Sequence, residues 1–199
     1  MSQNYASDNF GAKIYDFSSE CEGCESSNVL TSNNSIWLSE SGMGLPQWIC
    51  IDLHNCIDEE GGNNDLILRT IGYNCWHAYQ TNPKSCTLHV SRDGQNFKVW
   101  DYLTAPMAKG THLFCTPPIA VKIYPFVALE VTETHGGEQT YINRIFLYSD
   151  EIPPSPGGPS FGISQSQIKG KFAMGVQTPL LSHLEVDDEV DTPSVDAAP

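Results

Sequence analysis

The sequence predicts an all-β protein, an antiparallel β-sandwich followed by an extended C-terminal tail. Short runs rich in β-branched and aromatic residues alternate between apolar and polar positions, which is the period of a strand. Gly, Pro and Asn separate these runs at fairly regular intervals, as in β-sandwiches. No segment has a clear helical period, and no internal repeat is visible.

Segments with this pattern are expected to be strands. They are 12–17, 48–53, 66–73, 86–91, 97–100, 111–115, 119–123, 125–133 and 139–148. Alternation places Ile49, Ile51 and Leu53 on one face, and it does the same for the odd-numbered residues of 127–131. Trp37 and Trp48 are expected to lie in the core. Segments 111–115 and 119–123 are expected to be separate strands because two prolines lie between them.

The central hairpin, within residues 71–100, organises the rest of the chain. Its first strand alternates apolar residues at 86, 88 and 90 with polar ones, which predicts a half-buried strand. Asn82-Pro83-Lys84 breaks any preceding helix. Arg92-Asp93-Gly94-Gln95 predicts the reversing turn, since Asp-Gly suits positions with positive φ.

Four stretches, in order, resemble the discoidin (coagulation factor 5/8 type C) branch of the galactose-binding-like domains. They are N-V-L with a following Trp at 28–37, P-Q-W-I-C-I-D-L at 46–53, S-R-D-G-Q-N-F-K-V-W at 91–100 and the closing strand pair at 128–148. The last stretch is similar to the intracellular Doc and SUN domains. The resemblance implies a galactose-binding-like jelly-roll β-sandwich that binds other molecules and is not an enzyme.

Two regions are expected: a sandwich over 1–150, and a Pro/Gly-rich linker with an extended docking tail over 151–199. The segment P-P-S-P-G-G-P favours neither helix nor strand. Apolar residues are scattered through the tail without a period, and we expect them to anchor it on a partner. They are Phe161, Ile163, Ile168, Phe172, Met174, Leu180 and Leu181.

The charge balance excludes several partner classes. Lys and Arg number 10 against 24 Asp and Glu, a net charge of −14, which argues against nucleic acid and anionic lipid. The polar N-terminus has no apolar signal-peptide core, and no apolar run approaches the roughly 20 residues of a membrane span. We therefore expect a cytoplasmic protein whose seven cysteines are reduced.

Metal and catalytic sites are not expected. Cys21 and Cys24 form a C-x-x-C, but no second ligand pair has zinc spacing, so two free thiols are favoured. Many relatives of the resembled family hold calcium near an Asp-Gly that is Thr31-Ser32 here. His135, between Glu133 and Glu138, could act as a base, yet no nucleophile motif accompanies it.

Candidate binding residues lie mainly in the loop between the predicted strands 66–73 and 86–91. Trp76, His77 and Tyr79 could stack on a sugar or anchor a protein, although Trp76 is expected to close the end of the sandwich. Lys84, Arg92 and His135 complete the predicted loop face, with solvated surface as the simpler interpretation of Lys84 and Arg92.

Three function hypotheses follow. The first is a non-catalytic intracellular scaffold or adaptor in a multi-subunit assembly. Resemblance alone suggests a ciliary or axonemal, microtubule-associated role with tubulin or axonemal partners. The second is a lectin with Trp76, His77, Tyr79 and Arg92 at its mouth. The third is a Doc-like substrate receptor of a ubiquitin ligase, against which the acidic end Asp196-Ala197-Ala198-Pro199 counts. No cofactor is predicted.

Overall fold

The computed structural model describes residues 3–57, 66–152 and 160–165. Its strands are β1 Lys13–Phe17, β2 Trp37–Leu38, β3 Gln47–Asp52, β4 Ile67–Cys75, β5 Pro83–Ser91, β6 Phe97–Thr104, β7 Gly110–Ala120, β8 Phe126–Thr134, β9 Tyr141–Ile142, β10 Arg144–Tyr148, β11 Ser160–Phe161 and β12 Ile163–Ser164. Three short 3-10 helices, Asp8–Phe10, Ser26–Leu30 and His54–Cys56, are the helical elements named within these ranges. No helix among the described residues has the length and apolar character that a membrane crossing needs.

The strands form two facing sheets and a small third one. The larger sheet has the order β1-β3-β8-β5-β6-β12, and the opposing sheet has the order β10-β4-β7-β11. Strands β2 and β9 form a two-stranded sheet. Apart from the β7–β11 pair, which is parallel, the strand pairs are antiparallel. The predicted β-sandwich is confirmed.

The main core lies between the two sheets, where alternation places it. In β3 the predicted inward residues Ile49 and Ile51 are buried, and Leu88 of β5 is fully buried. Trp37, expected in the core, is also fully buried, and its Nε1 donates to the Ser19 carbonyl at 2.8 Å. The core therefore follows the period-two pattern of the strands.

A second apolar cluster covers the outer face of the six-stranded sheet. It consists of Trp48, Cys50, Phe97, Phe126 and Ala128. Trp48 is therefore buried, as expected, but outside the main core. The prediction that β5 is half-buried is wrong, because its outward residues Thr87 and His89 are buried as well. His89 Nε2 lies 2.8 Å from Glu130 Oε2 within this layer, which gives the buried imidazole a partner.

Strand β7 runs through Pro117 and Pro118, so the prediction of two separate strands is wrong. The pairing of β7 with β4 changes register between Leu68↔Ile119 and Thr70↔Cys115, which leaves the prolines in a bulge. A bulge tolerates Pro because its missing N–H is not needed by the ladder. The Pro117 carbonyl accepts a 2.9 Å bond from Trp100 Nε1.

The central hairpin forms as predicted. Gly94 has a φ of +77°, and the Asp93 carboxylate accepts bonds from the Asn96 and Gln95 backbone N–H groups and the Ser91 hydroxyl. These bonds, with the Asn96 backbone N–H first, hold the pKa of Asp93 well below its usual range. The carboxylate is thus committed to the turn.

Residues 160–164 pair with the edges of both sheets, and we call them the strap. Strand β11 pairs with β7, the Gly162 N–H donates to the Leu113 carbonyl at 3.0 Å, and β12 pairs with β6. The buried Ser164 hydroxyl donates to the buried Asp101 carboxylate. Phe161 and Ile163, predicted partner anchors, thus lie in strands that pair within the chain; Ile168, Phe172, Met174, Leu180 and Leu181 lie outside the described residues.

Replacing Ser164 with Ala should lower the free energy of unfolding by about 1–3 kcal/mol, because it removes a hydrogen bond to a buried carboxylate. Gln165→Ala, a change at the exposed neighbour, should alter it by less than about 0.5 kcal/mol. Urea unfolding of the full chain measures both. Equal stabilities for the two variants would mean that the strap does not dock in solution.

Candidate functional site

Loops from both sheets meet at one end of the sandwich, which we call the loop end. It consists of residues 76–82 between β4 and β5, residues 105–109 between β6 and β7, and residues 135–140 between β8 and β9. Trp76 and Tyr79 are 36% and 53% exposed there. Trp76 is therefore partly accessible, and its role in closing the end of the sandwich stays a prediction.

Asn82 holds the 76–82 loop in shape. Its side chain is almost fully buried, and its Nδ2 donates to the carbonyls of His77 at 2.8 Å and Ala108 at 3.2 Å. Its Oδ1 accepts from the Tyr79 N–H at 3.3 Å. One amide thus satisfies three backbone groups in two loops, and an apolar side chain would leave them unpaired.

Tyr141 of β9 fixes the same loop from the other side. Its hydroxyl accepts from the His77 N–H and donates to the His77 carbonyl, both at 3.1 Å. The Tyr79 ring lies 5.0 Å from the His77 ring and 6.1 Å from the Tyr141 ring, measured between centroids. The exposed aromatic surface therefore stands on a loop whose backbone is hydrogen-bonded.

His135 supports the loop end through its backbone. Its N–H donates to the Asn82 carbonyl at 3.3 Å, and the Gly137 N–H donates to the Gln80 carbonyl at 3.0 Å. A Cβ on Gly137 would lie 2.8 Å from the Thr81 Cγ2, so the loops can approach this closely only with glycine there. The His135 Nε2 is buried without a hydrogen-bond partner among the described residues, so it is not presented at the surface.

Lys84 lies at the rim of the loop end and already has a partner. Its Nζ is 3.0 Å from Glu133 Oε2, and both side chains are about half exposed. Hydrogen bonds from Lys84 and Ser85 hold the pKa of Glu133 below its usual value. Glu133 is therefore committed to these two residues, and it does not form a catalytic pair with His135.

Arg92 lies at the opposite end, which we call the hairpin end, and so does not join the predicted loop face. The nine residues of β5 separate it from the 76–82 loop, roughly 26 Å along the strand. Its guanidinium carbon lies 5.3 Å from the centre of the Tyr124 ring. The hydroxyl of that ring accepts a 2.6 Å bond from Lys98 Nζ. Sequence inspection found Arg92 but assigned it to the wrong end.

The segments that the sequence analysis considered as metal sites do not bring metal ligands together in the described residues. No group of three or more His, Cys, Asp or Glu residues that could hold a metal occurs within the described ranges. Cys21 and Cys24 are free, and burial raises the pKa of Cys24. The Thr31 hydroxyl bonds to the Asn28 carbonyl at 3.0 Å and to Asn33 Oδ1 at 2.7 Å, within its own loop.

Sequence inspection missed three residues that shape these ends: Asn82, Tyr141 and Tyr124. Asn82 was interpreted only as part of a helix-breaking tripeptide. The signal that could have found it is an Asn directly before a strand, in a loop whose backbone groups need partners. The contacts of Tyr141 and Tyr124 depend on which loops meet in space, which the sequence does not reveal.

No protein-family model matches the chain, and no curated protein sequence does. Solved structures are similar in fold. CBM32-5 of Clostridium perfringens, in complex with GalNAc-β-1,3-galactose, aligns with a TM-score of 0.57 at 20% identity over 70% of this chain and 96% of its own. CBM32-3 from a family 31 glycoside hydrolase of the same species gives 0.58 at 15% identity, over 75% and 95%.

A third neighbour is chitosan-binding module 1, derived from a chitosanase/glucanase of Paenibacillus sp. IK-5. Its TM-score is 0.54 at 19% identity, and the alignment covers 73% of this chain and 98% of the module. At these identities the similarity establishes the fold, and it confirms the predicted galactose-binding-like sandwich. A closer relation to the intracellular Doc and SUN branch stays a prediction.

The buried His112 should make the loop end sensitive to acid. Burial is the main cause that lowers the pKa of His112, and nearby His135 lowers it further; His112 Nε2 lies 3.0 Å from the Ala108 carbonyl. Below about pH 6.5 the unfolded chain therefore binds a proton that the folded chain resists, and stability is lost as the pH falls towards the folded pKa. The free energy of unfolding of the wild type should fall more steeply over this range than that of His112→Gln. Urea unfolding at a series of pH values measures both proteins. If their free energies of unfolding fall equally with pH, His112 is not the cause of the acid sensitivity.

Proposed function

We propose that the protein is a non-catalytic carbohydrate-binding module whose glycan site is the loop end. The observation that carries this proposal is the pair of exposed rings, Trp76 and Tyr79, on a loop held by Asn82 and Tyr141. Sugar rings present C–H faces that pack on aromatic side chains, while their hydroxyl groups bond to polar neighbours. An exposed aromatic platform with polar groups around it suits such a ligand.

The rigidity of the platform supports binding. The 76–82 loop is tied by hydrogen bonds to the 105–109 and 135–140 segments before any ligand arrives. Little conformational entropy is then lost when a sugar binds, which favours affinity for a small ligand. Lys84 at this rim is paired with Glu133, and the accessible rings of the platform suit an uncharged sugar ring.

The neighbours in fold support the same proposal. One is described in complex with GalNAc-β-1,3-galactose, another in complex with galactose, and a third as chitosan-binding. Galactose, N-acetylgalactosamine and chitosan oligomers are therefore the first ligands to screen. The glycan specificity of this chain cannot be taken from these neighbours, because a shared fold does not determine which ligand the loop residues bind.

The scaffold hypothesis has less support. None of the neighbours described above is named as a scaffold or as an axonemal protein. Two of its proposed anchor positions, 161 and 163, pair with β7 and β6 of the same chain. A ciliary location, tubulin as a partner and a Doc-like role in ubiquitin ligases gain no observation from the described residues.

Trp76→Ala and Tyr79→Ala should each weaken glycan binding about tenfold or more, because each removes a stacking surface worth roughly 1.4 kcal/mol or more. Tyr102→Ala is the matched control: Tyr102 is 49% exposed and lies on β6, outside the three loops. A glycan array finds the ligand, and calorimetry with the best glycan compares the variants.

Two outcomes would contradict the proposal. The first is an array without a single saturable glycan ligand for the folded full chain. The second is a ligand whose affinity drops for Tyr102→Ala as much as for Trp76→Ala and Tyr79→Ala. The second result would move the site to the face of the six-stranded sheet.

A further inference from the structure

The hairpin end contains a cleft whose charge differs from that of the rest of the chain. The cleft is about 610 Å³ and is lined by His54, Ile57, Arg92, Val121, Lys122, Ile123 and Pro125. This volume lies within the range of about 300–1,000 Å³ that is typical of small-molecule sites. Two cations, a histidine and the accessible side chains of Ile57 and Ile123 therefore border a space large enough for a monosaccharide-sized ligand.

The cations at this end have no acidic partners among the described residues. The ion pairs among the described residues are His54–Asp52, Lys84–Glu133 and His89–Glu130. None of them includes Arg92, Lys98 or Lys122. The chain has only 10 Lys and Arg against 24 acidic residues, so a cleft lined by Arg92 and Lys122, with Lys98 bound to the same tyrosine as Arg92, is richer in positive charge than the average composition. Their combined field attracts anions.

Two carboxylates near these cations in the described part of the chain, Asp93 and Asp52, already have other hydrogen-bond partners. Asp93 follows Arg92 directly, but its oxygens accept bonds from the turn backbone, Ser91 and Asn96. Asp52 accepts from the His54 backbone N–H at 2.9 Å and lies 2.6 Å from the His54 Nδ1. Neither of these two carboxylates forms an ion pair with Arg92, Lys98 or Lys122.

Tyr124 holds two of the cations in place. Lys98 Nζ donates to its hydroxyl and lies 4.1 Å from the ring centre, while Arg92 lies over the same ring at 5.3 Å. Hydrogen bonds from Lys98 and Arg92 lower the pKa of Tyr124. Arg92 lines the cleft, and Lys98 contacts the same tyrosine.

We propose that this cleft, here called the anion cleft, binds a small molecule that carries a phosphate or sulfate ester. Arg92 and Lys122 bind the oxyanion, and the apolar side chains of Ile57 and Ile123 contact the body of the ligand. A tetrahedral oxyanion suits this set because its several oxygens can accept from a guanidinium fork and an ammonium together. The site is independent of the glycan site at the loop end.

The test uses the full chain and three sugars of similar size: glucose 6-phosphate, glucose 6-sulfate and glucose. Calorimetry at low ionic strength should show saturable binding of one or both esters and none of glucose, with affinity falling as salt is added. The two ester arms identify which oxyanion is preferred. Amide chemical shifts should change around residues 54–57, 92–98 and 121–124.

Arg92→Gln and Lys122→Gln should each weaken ester binding about tenfold, because each removes a charge-assisted hydrogen bond. Lys84→Gln is the matched control: it makes the same charge change at the loop end and should leave ester affinity within about twofold. All three positions are exposed, so thermal unfolding should confirm that the variants fold.

Several results would overturn the proposal that the anion cleft binds a phosphate or sulfate ester. They are no saturable ester binding, equal binding of glucose, equal weakening by Lys84→Gln, or shift changes confined to the loop end. The glycan site is judged separately by Trp76→Ala and Tyr79→Ala with neutral glycans. Either site can therefore fail while the other stands.

Discussion

The structure depends on the burial of β5 on both of its faces. This strand lies between β8 and β6 and is hydrogen-bonded on both edges; Leu88 packs in the main core, while His89 packs with Glu130 on the outer face. A strand held in this way cannot slip by one residue without burying a different set of side chains. The positions of the two loops that flank β5 are fixed as a result, one at each end of the sandwich.

Local patterns predicted the fold well, because strand alternation and turn chemistry are local properties. Ile49 and Ile51 are inward as their spacing indicates, and the Asp93-Gly94 turn forms. Features that depend on other layers were not predicted. The outer-face cluster hides the polar side of β5, and a bulge lets β7 continue through Pro117 and Pro118. The site was predicted in part: the loop aromatics were found, but their support by Asn82 depends on three loops meeting in space.

The strap changes how the boundary at residue 150 is understood. Open sheet edges present unpaired N–H and C=O groups that invite other strands. Residues 160–164 cover part of the β7 edge and part of the β6 edge, and Ser164 gives the buried Asp101 carboxylate a partner. A tail expected to bind a neighbour instead completes, in this segment, the hydrogen bonding of its own sandwich. The Pro- and Gly-rich composition of 153–159 suits a connection between a sheet and such a segment.

The two ends of the sandwich differ in the ligands that their chemistry can accept. At the loop end Asn82 bonds to the backbone of the 76–82 loop, Lys84 is paired with Glu133, and the rings of Trp76 and Tyr79 are exposed. At the hairpin end Arg92 and Lys122 lack carboxylate partners among the described residues, and the exposed Ile123 lines the same cleft. The loop end suits an uncharged sugar ring, and the hairpin end suits an oxyanion. The reason is that an unpaired charge on the protein adds to binding affinity only when the ligand carries the opposite charge. With a net charge of −14, the chain repels anions at long range, so an anionic ligand would be held by local contacts and would be released readily by salt.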